Sequence, residues 1–178
     1  MSTKPWWLRS TGVAFKGINH VAFAVKDAKA TLEAYQKYFD LREVKYREPA
    51  GIFTEGAASF YIGDIPLRIS VNQSARGRYH NHIAKCGESL QHICFEVDDI
   101  KALVDVLVSR GARLAECELC KVTGPHPHPD GWVAFLDPGT VPGLQFELMQ
   151  VYTKEQKREW EASEAKRKYV ARQKGELK

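Results

Sequence analysis

Two histidines and one glutamate are the residues of this 178-residue chain whose types and spacing point most directly to chemistry. His20 lies in INHVAFAVKD, His92 lies in LQHICFEVDDI, and Glu147 lies in LQFELMQ, where it alternates away from the Leu and Phe side chains. A carboxylate within an apolar strand is costly unless it is paired or bound to a cation. Two imidazoles and one carboxylate form a set that holds a divalent metal and leaves positions open for substrate.

The two histidine segments belong to an internal repeat. Residues 18–35 align with residues 90–107, so that His20 falls on His92 and Asp27 falls on Asp99. In each copy an alternating strand is followed by an Asp N-cap and an amphipathic helix. Either histidine alone could be a satisfied core residue, but their repetition at one position favours a shared function.

The repeat predicts an α+β fold in which two βαβββ modules form one domain, with a shared, curled mixed β-sheet around a metal cavity. Module one spans 17–73, module two spans 90–151, and a polar connector covers 74–89. An arm over 1–16 carries Trp6 and Trp7, which we expect to pack on the body or on a second copy in a homodimer. A charged helix is predicted over 152–178. The predicted strands are 18–25, 41–47, 57–62, 65–71, 90–97, 113–121, 132–136 and 144–151, with helices over 28–39 and 99–110 and a GPHPHPDG loop.

Composition argues for a cytoplasmic protein without a nucleic-acid or membrane partner. The net charge of +4 lies entirely in the tail, which has nine Lys/Arg and five Asp/Glu from Tyr152 onward. The rest of the chain is neutral, so a basic nucleic-acid surface has no support. No apolar run approaches the length of a membrane span, and the first residues lack the apolar segment of a signal peptide.

The four cysteines do not predict a disulfide scaffold in a chain of this size. Cys117 and Cys120 have the spacing of half a zinc site, but no second such pair completes it. We therefore interpret them as part of an ordinary strand edge.

The segments INHVAFAVKD, LQHICFEVDDI and GLQFELMQ resemble the vicinal oxygen chelate superfamily, which includes glyoxalase I, methylmalonyl-CoA epimerase and the extradiol and 4-hydroxyphenylpyruvate dioxygenases. The resemblance covers Gly17 to Val151. It implies one divalent metal at His20, His92 and Glu147, with a substrate that chelates it through adjacent oxygens.

The epimerase and glyoxalase branches have a fourth ligand, Glu or Gln, on the last strand of module one. Aligning the repeat places Arg68 there, and an arginine cannot ligate a metal. Three ligands are typical of the oxygenase branches, so Fe(II) is favoured, with Co, Mn, Ni or Zn expected for an isomerase. Arg68 would suit a substrate oxyanion, or it could extend along the sheet edge.

The resemblance to extradiol dioxygenases also makes His126, in Gly124-Pro125-His126, a candidate acid-base residue, although a rigid proline-rich loop is an equal interpretation. Glu55 and Tyr61 are further candidates for the cavity, as a catalytic and a substrate-binding residue. The predicted function is an Fe(II)-dependent dioxygenase acting on a small catecholic or 2-oxo-acid anion. The alternatives are an epimerase-like isomerase, a glyoxalase-type lyase and a non-catalytic binding protein of the same fold.

Overall fold

The computed structural model describes residues 11–49 and 56–177. The predicted packing of Trp6 and Trp7 and the predicted role of Glu55 lie outside these residues. The strands are β1 (Phe15–Ala24), β2 (Leu41–Arg47), β3 (Gly56–Ile62), β4 (Arg68–Gln73), β5 (Ser89–Val97), β6 (Leu114–Cys117), β7 (Val122–Thr123), β8 (His126–His128), β9 (Gly131–Leu136) and β10 (Gln145–Val151). The helices are α1 (Ala28–Tyr38), α2 (Arg78–Cys86), α3 (Ile100–Ser109), α4 (Lys154–Ala162) and α5 (Glu164–Gln173).

The described strands form one mixed, open sheet in the order β2-β3-β4-β1-β5-β10-β9-β6-β7, with β8 paired to β9. β1 runs parallel to β4, and β5 runs parallel to β10. The two modules meet where β1 pairs with β5 in antiparallel orientation. The predicted α+β fold, with the sheets of two modules joined into one, is confirmed.

The helix that follows the first strand of each module begins at an aspartate. The Asp27 side chain accepts a hydrogen bond from the backbone N–H of Ala30 at 2.9 Å, and Asp99 accepts one from Ala102 at 2.9 Å. Such N-caps stabilise a helix by about 1 kcal/mol. The repeat thus preserves the local signal that begins each helix.

Alternating side chains give the sheet one face that packs under α1 and α3 and a second face that carries the cavity and a further apolar cluster. Leu32 of α1 packs in one core cluster with Val71, and Leu148 of β10 packs in a second cluster beneath α3. Successive strand side chains point to opposite faces of a sheet. Ser70 and Glu147, the neighbours of Val71 and Leu148, therefore face away from α1 and α3 and line a cavity.

Several segments differ from the sequence-based prediction. The connector contains a helix, α2. The predicted strand 113–121 is shorter in the structure, because β6 ends at Cys117 and a turn over 118–121 leads to β7. The predicted GPHPHPDG loop contributes a short strand, β8, that pairs with β9. The single helix predicted for the tail is broken at Ser163, whose hydroxyl caps α5 by accepting from the Lys166 N–H at 3.1 Å.

The two tail helices pack on the domain. Trp160 and Tyr169 are only 5% and 7% exposed. No helix in the described ranges has the length and apolar character needed to cross a membrane.

Candidate metal centre

Three ligand atoms converge on the face of the sheet that carries the cavity. The Nε2 atoms of His20 and His92 lie 3.3 Å apart. An oxygen of Glu147 lies 2.8 Å from Nε2 of His92 and 3.8 Å from Nε2 of His20. All three residues are buried, with at most 8% of each exposed. The three residues that the sequence pattern selected therefore meet at one point.

An amide side chain orients each imidazole. Nδ1 of His20 lies 3.0 Å from Oδ1 of Asn19, and Nδ1 of His92 lies 2.5 Å from Oε1 of Gln91. When these oxygens accept a proton from Nδ1, the Nε2 lone pairs point toward each other and toward Glu147. Sequence reasoning missed these two amides, although an amide residue precedes the histidine in both copies of the repeat.

The electrostatics of the site favour a bound cation. Burial lowers the pKa of His20 to about 4, against the opposing charge of Glu147. Burial also lowers the pKa of His92. Burial alone would raise the pKa of Glu147, but its contact with His92 and the nearby basic groups hold that pKa below its usual range. Two neutral imidazoles and an ionised carboxylate are therefore the stable forms at neutral pH, and these are the forms that bind a divalent metal.

The donor set fits a single divalent metal. Once Nδ1 of His92 donates to Gln91, its Nε2 contact with Glu147 needs either a second ring proton or a shared cation. The buried environment disfavours the second proton. Within the described part of the chain no further His, Cys, Asp or Glu joins this group of three.

A cavity of about 280 Å³ lies beside the three ligands. Its wall contains four cationic side chains and two carboxylates, namely Lys45, Arg47, Arg68, Arg78, Asp130 and Glu147. Since Glu147 belongs to the metal set, the remaining wall is strongly cationic. The cavity therefore suits an anionic ligand.

Arg68 lies on this wall and connects the cavity to the metal set. It stands beside His20 in the parallel register of β4 and β1. Its Nη2 donates to Oδ1 of Asn19 at 2.6 Å, the same oxygen that contacts the His20 ring. Its Nη1 lies 3.6 Å from a carboxylate oxygen of Asp130 across the cavity.

The strand register corrects the alignment of Arg68 with Glu147. Glu147 stands opposite Cys94 on β5, and the repeat equivalent of Cys94 is Ala22. Ala22 stands opposite Ser70, so Ser70 and not Arg68 occupies the position that matches Glu147. The repeat aligns β1 with β5. The register in which β4 pairs with β1, and that in which β10 pairs with β5, are set by each pair of strands and cannot be read from this alignment. The position still carries no carboxylate or carboxamide.

The structure places Tyr61 and His126 outside the described lining of this cavity. The Tyr61 ring lies 5.6 Å from the Arg42 guanidinium on β2 and is not among the described lining residues. His126 is 3% exposed and lies near Cys117 and Cys120. His128, two residues further along the chain, does line the cavity.

Sequence reasoning missed much of the wall. Lys45, Arg47, Arg78, Asp130 and Tyr169 come from β2, α2, the β8–β9 turn and α5. No periodic pattern marks these residues, because their shared property is a place in the tertiary structure. The predicted tail thus contributes to the cavity wall through Tyr169 of α5.

The fold and the site define a two-module protein with a candidate divalent-metal centre. Residues 17–148 match the Glyoxalase/Bleomycin resistance protein/Dioxygenase superfamily, and the chain belongs to this family. The predicted resemblance is therefore confirmed.

Individual relatives carry different activities. The chain is 25% identical over 120 residues to a 4-hydroxyphenylpyruvate dioxygenase of Pyricularia oryzae, which covers 56% of this chain and 28% of that protein. It is 27% identical over 134 residues to a mitochondrial methylmalonyl-CoA epimerase of Dictyostelium discoideum, which covers 74% of this chain and 76% of that protein. The chain spans less than a third of the length of the dioxygenases that it matches.

Solved structures with the same fold include epimerases. The methylmalonyl-CoA epimerase of Mycobacterium tuberculosis has a TM-score of 0.65 at 20% identity, covering 84% of this chain and 97% of that chain. The Streptomyces coelicolor epimerase in complex with 2-nitronate-propionyl-CoA has a TM-score of 0.61 at 23% identity, covering 79% and 100%. At these identities the likeness shows the shared fold.

Proposed function

We propose that this protein is an iron(II)-dependent dioxygenase that acts on a small anion with two adjacent oxygens, such as a catecholate or a 2-oxo acid. The observation that carries the proposal is the three-residue ligand set. His20, His92 and Glu147 converge, while Ser70 occupies the position from which a carboxylate would supply a fourth ligand. A divalent metal held by three protein ligands keeps positions for both a bidentate substrate and O₂.

Each residue of the centre has a defined task. His20, His92 and Glu147 would hold the metal, and Asn19 and Gln91 fix the orientation of the two rings. When bound, iron(II) supplies the redox chemistry, with O₂ as the oxidant. The chain itself supplies the ligand geometry, the burial of the three ligands and charge complementarity.

The wall of the cavity selects the charge of the substrate. Arg68 and Arg78 can each present a planar guanidinium to a carboxylate or phenolate oxygen. An ion-paired hydrogen bond of this kind contributes about 1.5–3 kcal/mol to binding. Asp130, the described cavity carboxylate outside the metal set, is placed to accept a proton from a substrate hydroxyl.

The volume of the cavity limits the size of the substrate. Pockets for drug-sized molecules occupy about 300–1,000 Å³. The 280 Å³ available here suits a single ring or a short acid. A larger substrate would extend out of the cavity.

The test begins with protein purified without oxygen. The informative metal is the one that wild type contains and His92→Ala lacks. Iron at this site, together with O₂ uptake on addition of a catecholate or a 2-oxo acid, is the expected result. Iron-loaded protein that consumes no O₂ with a panel of such anions would contradict the proposal.

An epimerase-like isomerase is the second candidate. It is favoured by the Dictyostelium epimerase, whose similarity extends over 76% of that protein, against 28% for the Pyricularia dioxygenase. In this alternative a cavity carboxylate such as Asp130 would remove a proton beside a thioester carbonyl. Exchange of deuterium from solvent into methylmalonyl-CoA, with cobalt, manganese, nickel or zinc at the site and no O₂ uptake, would select it.

A further inference from the structure

A second group of metal-ligating side chains lies outside the candidate metal centre. It consists of Cys117 at the end of β6, Cys120 in the following turn, and His126 at the start of β8. One ligand atom from each residue lies within 4.8 Å of the other two. Neither sulfur is in a disulfide. In a tetrahedral zinc site with Zn–S bonds of about 2.3 Å, neighbouring sulfurs lie about 3.8 Å apart, so only a small contraction separates this group from a coordination shell.

The turn between the two cysteines holds the sulfurs in place. The backbone N–H of Cys120 donates to Sγ of Cys117 at 3.4 Å, and the N–H of Lys121 donates to the carbonyl of Cys117 at 2.8 Å. Lys121 has a φ of 58°, in the left-handed region that non-glycine residues rarely adopt. The chain accepts this unfavourable conformation in a turn that places both sulfurs on one side.

The imidazole of His126 has an unsatisfied buried nitrogen. Only 3% of the residue is exposed. Its Nδ1 donates to the carbonyl of Gly124 at 2.8 Å, which leaves the lone pair on Nε2. Among the described residues no group meets Nε2 in hydrogen-bond geometry, and the side chain of Cys117 lies beside the ring. A buried polar atom without a partner destabilises the folded protein, and coordination to a metal would remove that cost.

His128 can complete the set. Its side chain contacts the sulfur of Cys117, and its ring centroid lies 6.2 Å from that of His126. The tail fixes the same region, because Nη1 of Arg172 donates to the carbonyls of Leu119 and Cys120 at 3.3 Å and 3.2 Å. The cluster therefore lies between the β6–β7 turn, β8 and α5.

We propose that Cys117, Cys120 and His126 bind a structural zinc ion, with His128 as the fourth ligand. Two thiolates and two imidazoles form one of the common tetrahedral zinc sets, and thiolate ligands select zinc over magnesium, calcium or manganese. The ion would tie β8 to the β6–β7 turn. Because His128 also borders the cavity of the first site, the zinc would hold one part of that wall in place.

The sequence supplies both halves of this motif without showing that they meet. The pair Cys117 and Cys120 and the pair His126 and His128 are separated by five residues that contain β7. The reversal of the chain between β6 and β7 brings the histidines back to the cysteines. A search of the sequence for a second cysteine pair therefore does not identify the two histidines as the other half of the site.

The experiment measures zinc in the His92→Ala protein, in which the first site is disabled, after growth with zinc and purification under reducing conditions. We expect about one tightly bound zinc per chain, as for a complete four-ligand site. The added substitutions Cys117→Ser or Cys120→Ser should each abolish it. Cys86→Ser, which changes an exposed free cysteine, is the matched control and should retain it.

Cobalt substitution tests the site even if a cysteine variant fails to fold. Cobalt(II) in the wild-type protein should give an intense thiolate-to-metal charge-transfer band, which the first site cannot produce because none of its three ligands is a sulfur. The proposal is overturned if this band is absent, or if the reduced wild-type protein retains no zinc. It is also overturned if Cys117→Ser and Cys120→Ser both retain the metal. None of these outcomes depends on the activity proposed for the first site.

Discussion

The Nε2 atoms of His20 and His92 lie 3.3 Å apart although the two residues are 72 positions apart in the chain. The antiparallel register of β1 and β5 pairs His20 with Cys94 and Ala22 with His92, so neighbouring strands present the two rings to one point. The repeat places one histidine on β1 and one on β5, and the pairing of these two strands brings the rings together.

Removing a ligand should abolish metal binding at the first site and leave the domain folded. His20→Ala, His92→Ala and Glu147→Ala each delete one donor, while the apolar clusters under α1 and α3 lie on the opposite face. Metal analysis and circular dichroism of the three variants provide the measurement. A variant that keeps its full metal content removes that residue from the ligand set.

Arg68→Ala should weaken substrate affinity about 10- to 150-fold, which corresponds to the loss of an ionic hydrogen bond of about 1.5–3 kcal/mol. Metal content should persist, because Asn19 still contacts the His20 ring. Asn19→Ala is the comparison variant. It should lower metal affinity about 10- to 100-fold, as loss of a ligand-orienting contact does. Equal effects of the two variants on metal affinity would contradict a substrate role for Arg68.

Ser70→Glu should create a fourth ligand. Ser70 occupies the strand position that matches Glu147 and lines the same cavity. The added carboxylate should raise metal affinity and lower oxygenase turnover, because it takes a position that substrate or O₂ requires. Arg68→Glu provides the control, because residue 68 pairs with His20 and not with Ala22, the repeat equivalent of the Cys94 that pairs with Glu147. Tighter metal binding by Arg68→Glu than by Ser70→Glu would show that the register argument is wrong.

The metal-free protein should lose stability as the pH falls. Burial lowers the pKa of His20 from 6.5 to about 4. Between these values the unfolded chain binds a proton that the folded chain excludes, so the stability present above pH 6.5 declines toward pH 4. At about 1.4 kcal/mol per pKa unit, the loss is on the order of 3 kcal/mol.

Urea unfolding of chelator-treated protein between about pH 7.5 and pH 4.5 measures this loss. The lowered pKa of His92 acts in the same direction. His20→Gln should flatten the profile, because it removes one of the two titrating rings. An unchanged slope in that variant would exclude His20 as a source of the pH dependence.

Tyr169→Ala should impair the first site without removing its metal. Tyr169 is 7% exposed, lines the cavity and packs with its ring centroid 4.9 Å from that of His128. Truncation to Ala opens the wall, so substrate affinity should fall while metal content is kept. Tyr169→Phe preserves the ring and should retain most of the affinity. Ending the chain after Tyr152 should act like Tyr169→Ala, and full activity of that truncation would show that α5 is dispensable.

The sequence by itself determined the two-module fold, the beginnings of α1 and α3, and the choice of His20, His92 and Glu147 as candidate ligands. These features depend on local periodicity, local capping and a repeat, all of which can be recognised in the amino-acid sequence. A buried charge on an apolar strand also carries its own cost, so Glu147 stands out in the sequence before its partners are known.

Only the tertiary structure decided which residues surround those ligands. The register that places Ser70 opposite Ala22 comes from strand pairing, and a shift of two residues leaves the same side chains on the same face. Tyr169 reaches the cavity because α5 packs on β8, and His126 meets Cys117 because the chain reverses between them. Contacts between distant segments depend on how the helices and strands pack against one another, and this packing cannot be read from the residue types alone.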